Sequence, residues 1–445
     1  MTAPQVREIT IMPRLQAALA SADLRPIKGR VKRVVGNLIY AVLPNVRLGE
    51  ICEMRDAGSK SSLYAEIIGF EDTVAILTPL GNVTGLSTST EVIPLKRPLQ
   101  IGVGSGLLGR VIDSLGQPLD TAQSGRIVAQ AARPIISSAP HALTRQIVSR
   151  PLSLGVRAID GMLTCGEGQR VGIYGEPGTG KSSLLAQIVR AAKADVFVIA
   201  LVGERGREVR EFIERNLSGS NRARSVVVVA TSDRSAIERV KAPQTAMTVA
   251  EFFRDQGARV LLVVDSVTRY ARALREIGLA AGEPPTRRGF PPSVFAALPA
   301  LFERAGTSQR GSITAIFTVL TEGDGATDPI AEETRGLLDG HIVLSQKLAQ
   351  AGHFPAIDVP ASLSRVMNDI VAPDHRLAAT KVRRLLSKYR EIEFLLQVGE
   401  YKPGGDKLAD EAIAKRVHIE QFLQQGAQDY PTFTATIEGL KALAA

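Results

Sequence analysis

Eight consecutive residues, Gly175-Glu176-Pro177-Gly178-Thr179-Gly180-Lys181-Ser182, carry the spacing G-x-x-x-x-G-K-S, with Ser183 directly behind. That pattern serves one chemistry, the gripping of nucleotide phosphates. Glycines let the backbone curl so that N–H groups point inward at phosphate oxygens. A helix opening at the loop adds a favourable dipole. Lys181 would then reach the β- and γ-phosphates, and the Ser182 hydroxyl would ligate Mg²⁺. The flanks fit. Residues 170–174 read as a strand, and Leu184, Leu185, Ile188 and Val189 recur at helical spacing. A chance glycine-rich turn would lack both.

Three further residues could share that chemistry. Asp265 ends the apolar run 260–264. A carboxylate leaving the C-terminal end of a buried strand sits where α/β proteins bind ligands, and it suits the Mg²⁺ side of a phosphate-loop site. By itself it reads first as a helix cap, and the phosphate loop beside it tips the reading to the Mg²⁺ role. Glu204 follows the run 196–202 within Gly203-Glu204-Arg205-Gly206-Arg207-Glu208. It could orient an attacking water, or belong to a surface salt-bridge cluster, and spacing does not choose between them. Arg365 is one arginine among many, ion-paired or solvated by default. Lys28, Arg30, Lys32 and Arg33 form a basic cluster that could touch acidic lipid or a partner. The simpler reading is a solvated strand face.

The elements that must position these residues fall into three zones. Up to residue 96, short apolar segments (31–35, 37–42, 63–70 and 73–77) are split by turn residues such as Gly36-Asn37 and Gly81-Asn82. Closely spaced short strands predict a small β-barrel or sandwich. A short amphipathic helix, with Ile11, Leu15 and Leu19 on one face, would lead into it. From 97 to 374, strand-like and helix-like patterns alternate. The runs 196–202, 226–230, 260–264 and 313–320 are continuously apolar, as strands buried on both faces are. Alternation predicts an α/β domain with a parallel sheet covered by helices. From 375 to 445 only helical spacing remains, interrupted at Gly404-Gly405.

Composition sets the frame. The 445 residues are 44% hydrophobic and 22% charged, enough for a sizeable core and too apolar for a disordered chain. No apolar run approaches the ~20 residues that span a bilayer, and the first twenty residues hold no continuous apolar core of a secretory signal. A cytosolic chain is expected. Cys52 and Cys165 stand far apart without metal or redox spacing, and five scattered histidines form no zinc motif. The net charge of +9 suits an anionic partner but selects none. With no tryptophan and 4% aromatics, single-strand nucleic-acid binding by base stacking is disfavoured.

Together these motifs resemble the F1-like ATPases, and most closely the protein-export ATPases of type III secretion and flagellar systems. Resemblance covers nearly the whole chain. Leu107-Leu108-Gly109-Arg110-Val111-Ile112-Asp113-Ser114-Leu115-Gly116-Gln117-Pro118-Leu119-Asp120 looks like the family's join between barrel and nucleotide domain. Pro355-Ala356-Ile357-Asp358-Val359-Pro360-Ala361-Ser362-Leu363-Ser364 fits the F1-type signature. The export branch is suggested by Gly282-Glu283-Pro284-Pro285-Thr286-Arg287-Arg288-Gly289-Phe290-Pro291-Pro292-Ser293-Val294-Phe295 and by Leu338-Asp339-Gly340-His341-Ile342-Val343-Leu344-Ser345. The tail 388–401 looks more like injectisome than flagellar ATPases.

The resemblance implies a RecA/F1-like core, ATP with Mg²⁺, and hydrolysis that energises protein secretion. It implies Glu204 as catalytic glutamate with Arg205 beside it, Arg365 as an arginine finger acting on a neighbour's ATP, and Phe354 against the adenine. It further implies a homohexamer and a central stalk protein. A stator would sit at the N-terminal zone, with an export gate, and cargo–chaperone complexes at the C-terminal one. The location would be cytoplasmic, peripheral at the inner membrane. Rival readings are a flagellar export ATPase, a rotary or non-catalytic subunit, and a ring-shaped RNA translocase.

Overall fold

A computed structural model describes residues 27–56, 62–217, 219–321 and 328–445. The amphipathic stretch around Ile11–Leu19 lies outside them. The chain divides into two compact units, Met1–Arg97 and Pro98–Ala445.

In the first unit, six antiparallel strands close into a barrel: β1 (Gly29–Val35), β2 (Leu38–Val42), β3 (Glu50–Arg55), β4 (Leu63–Glu71), β5 (Val74–Pro79) and β6 (Glu91–Pro98). Their order is β1-β2-β5-β4-β3-β6, and β6 pairs back to β1. Closure decides between the barrel and sandwich readings, and it leaves no edge strand exposed. Inward residues such as Val31, Ile39, Cys52, Ile67 and Leu77 fill the interior. The basic cluster lies around β1. Arg30, Lys32 and Arg33 are exposed. Lys28 pairs with Glu91 at 2.8 Å and Arg33 with Glu71 at 3.3 Å. That is the solvated strand face.

The second unit is an α/β sheet. Its strands are β8 (Val111–Asp113), β10 (Arg170–Gly175), β11 (Val196–Val202), β12 (Ser225–Ala230), β13 (Arg259–Asp265), β15 (Ser312–Leu320), β16 (Gly340–Val343) and β17 (Leu363–Ser364). The order is β17-β16-β10-β15-β13-β11-β12-β8, parallel except where β17 joins β16. β14 (Gly306–Thr307) adds an antiparallel pair to β15, and β7 (Gln100–Val103) pairs separately with β9 (Ala131–Pro134).

Strand β11 explains the continuous apolar runs. Its Val196, Val198, Ala200 and Val202 face one core, and its Phe197, Ile199 and Leu201 face another. The first core packs against helices Ala236–Asp255, Val267–Ala280 and Pro292–Phe302. The second packs against α1 (Arg157–Met162), α2 (Lys181–Ala191) and α3 (Gly206–Asn216). The C-terminal helices Pro373–Gln397, Lys407–Leu423 and Phe433–Ala444 join this second core through Leu385, Ile419 and Leu440. The helical tail thus packs on the same face of the sheet as the helix that opens at the phosphate loop.

Candidate nucleotide site

The phosphate loop leaves the C-terminal end of β10. It is braced from within: the Thr179 hydroxyl donates to the Glu176 carbonyl at 2.8 Å. Gly178 and Gly180 have φ of +86° and +85°, where side chains other than glycine's are strained. A Cβ on Gly180 would also lie 3.0 Å from the Phe354 ring. Helix α2 opens at Lys181, and its first backbone N–H groups have no acceptor within the helix.

Lys181 is buried, and its Nζ has no hydrogen-bond partner. Burial lowers its pKa, opposed by Asp265 and Glu204. An orphaned buried ammonium at a helix N-terminus suits a polyphosphate.

Glu204 leaves β11 and Asp265 ends β13, the strand paired with it. Both line one cavity of about 380 Å³ with Ser182, Ser183, Glu208 and Ala427. Asp265 is buried, and one of its oxygens accepts the Thr318 hydroxyl at 2.6 Å. Glu204 is half-buried and its pKa is pushed up to about 8. Desolvation is the main cause, followed by a hydrogen bond to Glu208 and the charge of Asp265. Arg269 pairs with Glu204 at 3.2 Å and opposes the rise. The oxygen donors of Ser182 and Asp265, in a cavity shared with three carboxylates, suit a hard divalent cation.

Two predicted residues stand elsewhere. Arg205 is exposed, pairs with Glu208 at 3.7 Å, and does not line the cavity. Arg365 is exposed beside β17. Its N–H bonds the carbonyl of Asp339, whose N–H bonds Arg170, the first residue of β10. The loop leaves β10 five residues later, about 16 Å along the strand at ~3.3 Å per residue. The Arg365 guanidinium donates instead to the Arg335 carbonyl. Phe354 is 42% exposed and leans on Gly180.

Sequence reasoning did not single out Glu208, Arg269 or Thr318. Arg269 follows Asp265 by four residues, one helical turn into Val267–Ala280, and that spacing was the available signal. Thr318 carried none, since its register beside Asp265 comes only from sheet pairing.

These elements define a phosphate-loop ATPase core that follows a β-barrel in the chain and carries a helical tail packed on its sheet. The family models agree. Residues 31–96 match the ATP synthase alpha/beta family β-barrel domain, 155–364 its nucleotide-binding domain, and 371–442 the T3SS EscN ATPase C-terminal domain. A type 3 secretion system ATPase of Sinorhizobium fredii is 56% identical over 95% of this chain and 93% of its own. One from Xanthomonas euvesicatoria is 52% identical over 96% and 97%. The flagellum-specific ATP synthase of Bacillus subtilis is 45% identical over 93% of this chain. The assembled ATPase EscN of the enteropathogenic E. coli type III secretion system superposes with TM-score 0.89 at 46% identity, over 94% of this chain and 100% of its own. The chain belongs to the type 3 secretion system ATPases of the ATP synthase alpha/beta family.

Proposed function

We propose that this ATPase binds ATP at Gly175–Ser183 and hydrolyses it across the interface between neighbouring copies. The single observation that carries the reading is the buried, unpartnered Lys181 ammonium, which feels the charges of Asp265 and Glu204, the two strand-end carboxylates that line the cavity beside Ser182. The loop N–H groups and Lys181 hold the β- and γ-phosphates. Glu204, ionised, accepts a hydrogen bond from water and orients it toward the γ-phosphate. Mg²⁺, held by Ser182 and Asp265, would supply charge neutralisation at the phosphate oxygens. Phe354 meets the adenine.

Arg365 serves the neighbour's site, a role supported by its position at the far end of β10 from its own loop. Arg205 contributes through its pairing with Glu208. A finger given in trans needs neighbouring copies in a closed ring, and the family likeness supplies the number, a homohexamer. We assign 1–96, 97–374 and 375–445 as three working units. The barrel would meet a stator and the export gate, and the helical tail cargo–chaperone complexes. A central stalk protein would thread the ring, as the stalk EscO accompanies EscN in a related structure (TM-score 0.86, 46% identity). Among the described residues, no helix is long and apolar enough to cross a membrane. From the likeness to secretion-system ATPases we assign a cytoplasmic site, peripheral at the inner membrane, with hydrolysis releasing and unfolding cargo there.

The test is ATP hydrolysis per subunit against protein concentration. Specific activity should climb steeply with concentration and fall about 10³-fold or more in Arg365→Ala, the order of a lost arginine finger. Flat activity that ignores Arg365→Ala would mean a site complete within one chain.

A further inference from the structure

Past Lys407–Leu423, the chain runs through residues 424–430 back across the nucleotide domain. Gln425 is its fixed point. It is 5% exposed, and every polar atom of its side chain is used. Its Oε1 accepts the Arg157 N–H at 2.8 Å. Its Nε2 donates to the carbonyls of Gly155 at 2.8 Å and Asp429 at 2.6 Å. With the side chain anchored there, the backbone N–H of Gln425 donates to the Phe354 carbonyl at 2.8 Å. The Phe354 ring in turn leans on Gly180 of the phosphate loop.

Other bonds converge on the same segment. Arg157 donates to the carbonyls of Phe422 and Gln424 and pairs with Asp429. Gln187, on the helix that opens at Lys181, donates to the Gly426 carbonyl. Phe354 is itself 42% exposed, so much of its ring is free of packing. Its orientation therefore depends on its backbone, and one of the bonds on that backbone is the Gln425 N–H.

We infer that Gln425 is a positioning residue for the nucleotide base, acting through the Phe354 backbone without touching the nucleotide phosphates. This rests on the proposed adenine contact of Phe354. Buried polar networks orient side chains sharply when every member is satisfied. Removing the Gln425 side chain would leave the Arg157 N–H and the Gly155 carbonyl without their partner and let Phe354 swing away from the base. Binding of the base then weakens while the phosphate grip stays.

Calorimetric binding of ATP and of inorganic tripolyphosphate, both with Mg²⁺, separates these contributions on the full-length chain. Gln425→Ala and Gln425→Glu should each lower ATP affinity about tenfold, the order of a lost aromatic–base stacking contact. Tripolyphosphate affinity should stay within about twofold, which also reports a folded loop. In a Phe354→Ala background, Gln425→Ala should cost no further ATP affinity. Parallel loss of both ligands, or loss of neither, overturns the proposal. If Phe354→Ala weakens ATP but the Gln425 variants do not, only the positioning role fails. If Phe354→Ala leaves ATP unaffected, the adenine contact fails and the role built on it falls too.

Discussion

Glu204 sits among its own kind. Glu208 and Asp265 both raise its pKa, and Arg269 offsets only part of that. A water-orienting carboxylate must be ionised, so kcat/KM should climb as pH rises, with its midpoint near 8 and its plateau above that. The limb belongs to the Glu204–Glu208 pair. Glu208→Gln should move it to lower pH, because the neutral amide removes the negative charge beside Glu204 and accepts its proton's hydrogen bond more weakly than a carboxylate. A flat profile from pH 6 to 9 would sink this. Stability runs the other way. The native pKa lies above the ordinary carboxylate range, so ionising Glu204 costs native stability progressively as pH rises from about 4.5 to about 8. Glu204→Gln should melt at higher temperature than wild type at pH 9 while losing about 10²–10⁴ in kcat.

Thr318 is a quieter partner. It is fully buried, and its hydroxyl fixes one oxygen of Asp265. Thr318→Val keeps the shape and removes that bond. The Mg²⁺ concentration for half-maximal nucleotide binding should rise several-fold, with the fold intact by circular dichroism. Unchanged Mg²⁺ dependence would leave Thr318 as packing.

The elements do their work through register. Parallel pairing of β10, β11 and β13 across the sheet brings three strand ends, and so the loop, Glu204 and Asp265, to one edge. Antiparallel pairing of β17 with β16 turns Arg365 to the opposite edge. Within the loop, Gly180 bears two constraints at once, a left-handed φ and the Phe354 ring. Gly180→Ala adds a Cβ at φ +85° and 3.0 Å from that ring. A left-handed alanine costs ~1–2 kcal/mol before the clash is counted. Equilibrium dialysis should find nucleotide affinity reduced more than about tenfold. Affinity equal to wild type would mean that the loop tolerates a Cβ there and that Phe354 simply moves aside.

At the scale of the whole molecule, the proposed role of Arg365 on a neighbour's nucleotide would make the subunits complementary. Lys181→Ala keeps Arg365, and Arg365→Ala keeps the loop. Each should be nearly inactive alone. Mixed one to one, about a quarter of the interfaces in a randomly assembled ring would join an intact loop to an intact finger. Activity should therefore return on mixing, to a fraction of wild type. No recovery, with mixed rings verified by size-exclusion chromatography, would contradict action in trans.

Much of this was written along the chain. The phosphate loop is contiguous, because one turn and one helix start must present several N–H groups at once. The strands 196–202 and 260–264 announced themselves because burial on both faces leaves no room for polar residues. The helical tail was legible from its spacing. β3 and β6 were not, since their outward faces carry the charges that mask a short strand. Closure of the barrel was also undecided, because alternation reports which face is buried but not which strands meet. Arg205 and Glu208 look interchangeable in sequence, yet the turn into Gly206–Asn216 puts Glu208 in the cavity wall and Arg205 in solvent. Thr318 and Gln425 became visible only through neighbours 53 and 71 residues away at Asp265 and Phe354. Local chemistry, held in one turn of backbone, is readable from residue order. Chemistry assembled across a sheet depends on register and packing, which the fold alone sets.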